Sequence, residues 1–162
     1  MGLLLDEPWV HSIRGIFSSA ERKATEAARI MADFLSVSPI VVEGLGENDR
    51  SATGYLPKFE FEATADEFFA RPEDSVRGWE RAADAQRRIV LAVNDAIMLC
   101  PAQGDVAIVS HGGVGALLLC HLKGVPISRA EDQPGGGGGN AFSFDMTTRQ
   151  LLSGWRRIEE AG

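Results

Sequence analysis

Histidine, cysteine and tyrosine are scarce in this chain. Its 162 residues include three histidines, two cysteines and one tyrosine. The cysteines, Cys100 and Cys120, form no CxxC pair and have no spacing typical of a zinc or iron–sulfur site. Because no cluster of His, Asp or Glu has metal-ligand spacing either, we expect neither a metal nor a cofactor. We expect both cysteines to be buried free thiols in a reducing, cytoplasmic setting.

Long hydrophobic runs and excess positive charge are also missing. No apolar run approaches the roughly 18 residues of a membrane span, and Met1–Leu5 is too short for a signal peptide and has no basic start. The net charge of −7 argues against nucleic acid or an anionic membrane as a partner. It still allows a small anionic ligand in a local basic pocket. The length predicts one domain over residues 1–162.

The order of hydrophobic patterns predicts a three-layer α/β/α fold with a mostly parallel sheet. Strands are predicted at 13–17, 40–42, 106–109, 141–145 and 151–155, and helices at about 18–35, 75–99 and 114–123. The last two strands are expected to form a hairpin.

Three further segments have local signatures. Ser18 followed by Glu21 fits a capping box, which would begin the first helix at Ser18. Four phenylalanines within 59–70 predict a local mini-core or a lid. The five glycines at 135–139 predict a mobile surface loop, because such a run is too flexible to be preorganised for phosphate.

The central feature of the chain is the turn SHGG at 110–113. It follows the apolar run 106–109 and precedes the helix predicted at 114–123, so His111 should lie at the carboxyl end of a strand beside a helix N-terminus. Glycines there let a ligand approach the backbone, and free N–H groups favour an anion. The alternative is a Gly-rich turn whose histidine only bonds to backbone.

Other polar residues should meet His111 at the same edge of the sheet. Arg22 and Lys23 lie on the first turn of the predicted first helix, and Glu47 lies in the polar loop after the second strand. A cation, a carboxyl group and a histidine together would suit the binding and protonation of a phosphate ester. We therefore predict that these groups share one pocket and that an oxyanion binds beside His111.

Four motifs in this order resemble the histidine phosphatase superfamily, also called phosphoglycerate mutase-like. They are SSAERKATEAA at 18–28, EGLGEND at 43–49, the helix at 80–89 with Glu80, Asp84 and Arg88 in register, and VAIVSHGG at 106–113. The likeness runs from about residue 13 to residue 155.

The resemblance implies roles for several residues. His111 would be the second histidine, which holds and polarises the phosphoryl group, and Glu47 would protonate the leaving oxygen. The phosphate-binding candidates are Arg22, Lys23, Ser19 and Gly112, with Lys23 preferred over Arg22 for register. Lys23 stands where the family usually has arginine and lacks its bidentate fork. Ala27 stands where threonine is usual.

The chain departs from the family at its front. The strand ending in Arg-His-Gly, whose histidine is the family's nucleophile, has no counterpart here, since His11 precedes a strand and His121 lies within a helix. The chain is therefore expected to lack the family's first strand and helix. That loss would leave unpaired sheet backbone, which could favour a homodimer.

Two functions remain open. One is a phosphatase, preferred over a mutase, that acts on a small phosphorylated substrate and is impaired in this chain. The other is an inactive phosphate-binding or protein-interaction module.

Overall fold

The computed structural model describes residues 8–100, 103–135 and 138–158. In that part of the chain there are five β-strands and four α-helices. The strands are β1 (Ile13–Ser18), β2 (Ile40–Val41), β3 (Asp105–Val109), β4 (Asn140–Phe144) and β5 (Leu151–Arg157). The helices are α1 (Arg22–Leu35), α2 (Lys58–Ala70), α3 (Ala82–Leu99) and α4 (Gly112–Lys123).

The first three strands form a parallel sheet in the order β2-β1-β3. Phe17 is paired with Ile40 on one side and with Ile108 on the other. Ser18, the last residue of β1, is opposite Val109, the last residue of β3. The two strands therefore end side by side, which brings the segments that follow them to one edge of the sheet.

Helices cover both faces of this sheet. Ile16 belongs to a cluster with Ala28 and Met31 of α1. Its neighbour Phe17 belongs to the larger cluster, which contains buried residues of α3 and α4. Because successive strand residues point to opposite faces, β1 joins two separate cores. The predicted three-layer α/β fold with a parallel sheet is confirmed.

The last two strands form the predicted antiparallel hairpin, β4 with β5. Trp155 of β5 fixes this hairpin to α4. A Cβ atom at Gly115 would lie 2.8 Å from the Trp155 ring, so the ring rests directly on the backbone of the helix. The indole N–H donates to the Glu131 carbonyl at 2.8 Å, and Phe142 meets the ring edge-on at 4.8 Å between centroids.

Two predicted helix starts are wrong. Ser18 ends β1, and Glu21 is the N-cap residue of α1, because the parallel pairing continues as the Ser19 N–H donates to the Val109 carbonyl at 3.0 Å. The helix predicted from residue 75 begins at Ala82. The chain before it is extended at Trp79, whose ring is buried against Phe61 and Phe68.

The aromatic segment makes the predicted mini-core only in part, since Phe68 and Phe69 are buried while Phe59 is 86% exposed. Cys100 and Cys120 are free thiols. Cys120 is buried, and burial raises the pKa of its thiol, but Cys100 is only half-buried. Of the predicted mobile loop, residues 136 and 137 lie outside the described residues. Among the described helices, none has the length and apolarity needed to span a membrane.

Replacing Trp155 by alanine should lower the free energy of unfolding by about 3 kcal/mol, because the ring's packing and its hydrogen bond are both lost. Urea denaturation followed by circular dichroism measures this. Leu152→Ala is the matched control on the same strand: its side chain is 66% exposed, so a change within about 0.5 kcal/mol is expected. Equal losses in the two variants would contradict the anchoring role of Trp155.

Candidate functional site

Ser19 and His111 meet where β1 and β3 end. The Ser19 hydroxyl oxygen lies 2.7 Å from His111 Nε2. Ser19 is fully buried, and the His111 side chain is 15% exposed, so the ring reaches solvent along one side only. The turn between β1 and α1 therefore meets the SHGG turn at Ser19, one of the predicted phosphate-binding residues.

Glu21 also faces the histidine. Its Oε1 atom lies 3.2 Å from His111 Nε2 and accepts a hydrogen bond from the Glu47 backbone N–H at 2.9 Å. The same imidazole nitrogen therefore faces both the Ser19 hydroxyl and the Glu21 carboxyl group.

The Glu47 carboxylate caps the N-terminus of α4. Its oxygens accept from the backbone N–H groups of Gly113 at 3.1 Å and Val114 at 2.9 Å. A Cβ atom at Gly113 would come within 2.7 Å of Glu47 Oε1, so only glycine allows this approach. Glu47 and the His111 turn lie together as predicted, and Glu47 already takes two of the helix N–H groups expected to attract an anion.

Arg50 holds the other side of the Glu47 carboxylate, with 2.9 Å between Nη2 and Oε2. Its guanidinium also lies over the rings of Phe61, at 5.0 Å, and Trp79, at 5.4 Å from the centroids. These three residues, with Lys58, line a cavity of about 370 Å³. Arg50 therefore separates the Glu47 carboxylate from a cavity with aromatic walls and cationic side chains.

Arg88 of α3 fixes the loop that carries Glu47. Its guanidinium donates to the carbonyls of Gly44 and Gly46, each at 2.9 Å, and to the Glu47 carbonyl at 3.3 Å. It also forms a two-pronged ion pair with Glu80, at 3.0 and 2.8 Å. The hydrogen bond to Glu80 is the main cause that raises the pKa of Arg88. The side chain stays charged and clamps three backbone carbonyls at once.

In the described part of the chain, no hydrogen bond or ion pair joins the other predicted residues to the His111 side chain. Arg22 is 89% exposed and pairs with Glu26 at 2.7 Å along α1. Lys23 is exposed, and its side chain makes no hydrogen bond or ion pair with other described residues. Gly112 lies directly beneath the Gln133 side chain. Among residues 8–100, 103–135 and 138–158, no group of three or more His, Cys, Asp or Glu side chains is arranged to hold a metal ion.

Sequence reasoning missed Glu21 and Arg50 as members of the site. The capping-box pattern explains Glu21 within its own helix, so the sequence gives no sign of its long-range contact with His111. Arg50 lies only three residues after Glu47, so its place in the same polar loop was the available signal.

The sequence model of the histidine phosphatase superfamily (branch 1) matches residues 7–141 of this chain. The chain therefore belongs to this superfamily. No curated protein matches it by sequence.

Solved structures agree with this membership at the level of the fold. YhfR from Bacillus stearothermophilus has a TM-score of 0.71 at 22% identity, over 93% of this chain and 77% of that one. Mycobacterial hydrolase 1 has a TM-score of 0.68 at 21% identity, over 96% and 77%. A mycobacterial glucosyl-3-phosphoglycerate phosphatase in complex with inorganic phosphate has a TM-score of 0.65 at 20% identity, over 96% and 80%.

Replacing Arg88 by alanine should cost about 3 kcal/mol of unfolding free energy, because Glu80 and three carbonyls lose their donor in a partly buried place. Arg87→Ala, one position earlier on α3, is the control. Arg87 is exposed and makes a single ion pair with Asp84, so a change below about 0.5 kcal/mol is expected. Chemical denaturation of both variants tests this, and a loss for Arg88→Ala no larger than for Arg87→Ala would contradict the clamp.

Proposed function

We propose that this member of the histidine phosphatase superfamily binds the phosphoryl group of a small phosphomonoester beside His111. The observation that carries the proposal is the position of His111 Nε2, which lies 2.7 Å from the Ser19 hydroxyl at the common end of two parallel strands, with His111 at the N-terminus of α4. An N–H donor at that edge suits a phosphoryl oxygen, whose charge it stabilises as the phosphorus–oxygen bond breaks.

The other candidates have complementary roles in this proposal. His111 and Ser19 contact the phosphoryl oxygens, and Glu47 protonates the leaving oxygen. Lys23 is preferred over Arg22 as the basic residue that holds the anion, because its exposed side chain has no ion-pair partner among the described residues, whereas Arg22 is paired with Glu26. Gly112, which lies beneath the Gln133 side chain, offers its backbone to the bound phosphoryl group.

The cavity beyond Arg50 supports an organic alcohol part in the substrate. If Glu47 protonates the leaving oxygen, the phosphoryl group lies on its His111 side and the alcohol lies on its Arg50 side. The cavity of about 370 Å³ on that side has room for a small organic group. We favour hydrolysis over mutase activity because the segment 55–77 is short and has only Lys58, Arg71 and Arg77 as cations to hold a second phosphate.

The chain holds no second imidazole at this site. His11 lies beside Phe34, with ring centroids 5.6 Å apart, and His121 is exposed on α4. The phosphohistidine step that the family resemblance implies needs a nucleophilic histidine, and neither of these stands next to His111. Catalysis by this chain on its own would then rely on direct attack by water, so we propose that its turnover is impaired.

A phosphate-binding module without turnover is the second candidate. The positions of His11 and His121 favour it, because anion binding needs His111 and Ser19 but no nucleophilic histidine. The two candidates share the anion site and differ in turnover, so separate experiments address the two properties.

Inorganic phosphate should bind the wild-type chain, and His111→Gln should weaken binding by about ten-fold or more, because a charge-assisted hydrogen bond to the anion is lost. Isothermal titration calorimetry at constant ionic strength measures the dissociation constants. His121→Gln is the control, since it changes a histidine of α4 that lies outside the site. Equal affinity in wild type and His111→Gln would exclude His111 as the binding group.

With p-nitrophenyl phosphate, turnover by this chain should fall far below about 1 s⁻¹, the low end of ordinary enzyme rates. General acid help from Glu47 supplies only about 10²–10⁴-fold and does not replace a covalent intermediate. Release of p-nitrophenol, followed by absorbance in wild type and in His111→Gln, measures this. A wild-type rate of about 1 s⁻¹ or more that His111→Gln abolishes would contradict the impairment.

A further inference from the structure

Among the described residues, Glu21 is the carboxylate that contacts both His111 and the backbone of the candidate acid Glu47. Its Oε1 atom is 3.2 Å from Nε2 of the imidazole and 2.9 Å from the Glu47 nitrogen. The Glu47 N–H donates to this oxygen, and the imidazole nitrogen faces the same atom. A carboxylate oxygen in that position has the charge of a bound phosphoryl oxygen and lies where one would meet the imidazole.

The Glu21 side chain has no other structural duty in the described part of the chain. It is the N-cap residue of α1, yet its side chain makes no capping hydrogen bond, and the helix uses only its backbone carbonyl. The side chain is 51% exposed, so it can move into solvent without leaving a cavity. Its place beside His111 is therefore not needed to build the helix.

We propose that Glu21 is an internal anion that occupies the phosphoryl-oxygen position beside His111 and must move out before a phosphorylated ligand binds. The inference rests on the proposed function and names a residue that controls affinity at the same site. A carboxylate oxygen and a phosphate oxygen cannot occupy the same place beside Nε2, and their like charges repel at this separation. Displacing the carboxylate costs binding free energy. The site therefore favours ligands whose contacts beyond the phosphoryl group offset that cost.

The Glu47 carboxylate is held more firmly than the Glu21 carboxylate. Its carboxylate is held by two helix N–H groups and by Arg50, and its side chain is 18% exposed. Glu21 has one backbone donor and the imidazole. Of these two carboxylates, Glu21 is therefore the one that a ligand can displace.

The experiment measures binding of inorganic phosphate to the full chain by nuclear magnetic resonance, with the backbone amide of Gly113 as the reporter of the site. Glu21→Ala removes both the charge and the bulk, and Glu21→Gln removes the charge and keeps the shape. Ionic strength is held constant with sodium chloride, because exposed charges are screened by salt. Both variants should bind phosphate more tightly than wild type, by about ten-fold for Glu21→Ala.

Asp33→Asn is the matched control, because it removes the same charge from an exposed position of α1, about 18 Å further along the helix. Its affinity should stay within two-fold of wild type. An unchanged or weaker affinity in Glu21→Ala, with a normal Gly113 response, would overturn the role of Glu21 and leave the proposed function standing. Equal tightening in Asp33→Asn would also overturn it, since the effect would then come from net charge.

Two further results separate the remaining possibilities. Tightening in Glu21→Ala without tightening in Glu21→Gln would show that bulk closes the site, and would overturn the assignment of Glu21 as an internal anion. No response of Gly113 to phosphate in wild type or in either variant would overturn the proposed function itself.

Discussion

The contact of the Glu47 carboxylate with the first turn of α4 holds the two halves of the site together. Gly113 and Val114 donate to it from the helix, while Arg50 pairs with it from the loop. The Ser110 hydroxyl adds a second link, since it donates to the Leu45 carbonyl at 2.6 Å, so the loop after β2 is joined to the His111 turn at two points. The helix dipole and two otherwise unpaired N–H groups both favour a carboxylate there.

Arg88 supports the same contact from the opposite side of the loop. A partly buried ion pair such as Arg88–Glu80 adds little net stability by itself, because desolvation offsets the Coulomb attraction. The pair matters for the position of the loop, because the Arg88 guanidinium holds the carbonyls of Gly44 and Gly46 and so fixes the backbone that leads to Glu47. Arg88 therefore ties the loop that carries Glu47 to helix α3 and fixes the position of the Glu47 carboxylate.

Strands, turns and helices could be predicted from the sequence, because they depend on neighbouring residues. Contacts between side chains far apart in the chain could not. The run 106–109 and the glycines after His111 predicted a strand, a turn and a helix, because apolar runs and glycine act through neighbouring backbone. The capping box at Ser18 was wrong, since pairing with β3 keeps Ser19 in the sheet. The partners of Glu21 lie 26 and 90 residues away, and no local pattern specifies such distances.

The parallel register explains why Ser19 and His111 meet at all. Ser18 is opposite Val109 at the ends of β1 and β3. Ser19, the first residue after β1, and His111, the second residue after β3, therefore leave the sheet close together. A shift of one residue would displace the strands by about 3.3 Å, more than the 2.7 Å that separates Ser19 Oγ from Nε2. Ile16 and Phe17 prevent that shift, because it would exchange the core that each side chain fills. Packing on both faces of β1 thus sets the contact between Ser19 and the imidazole of His111.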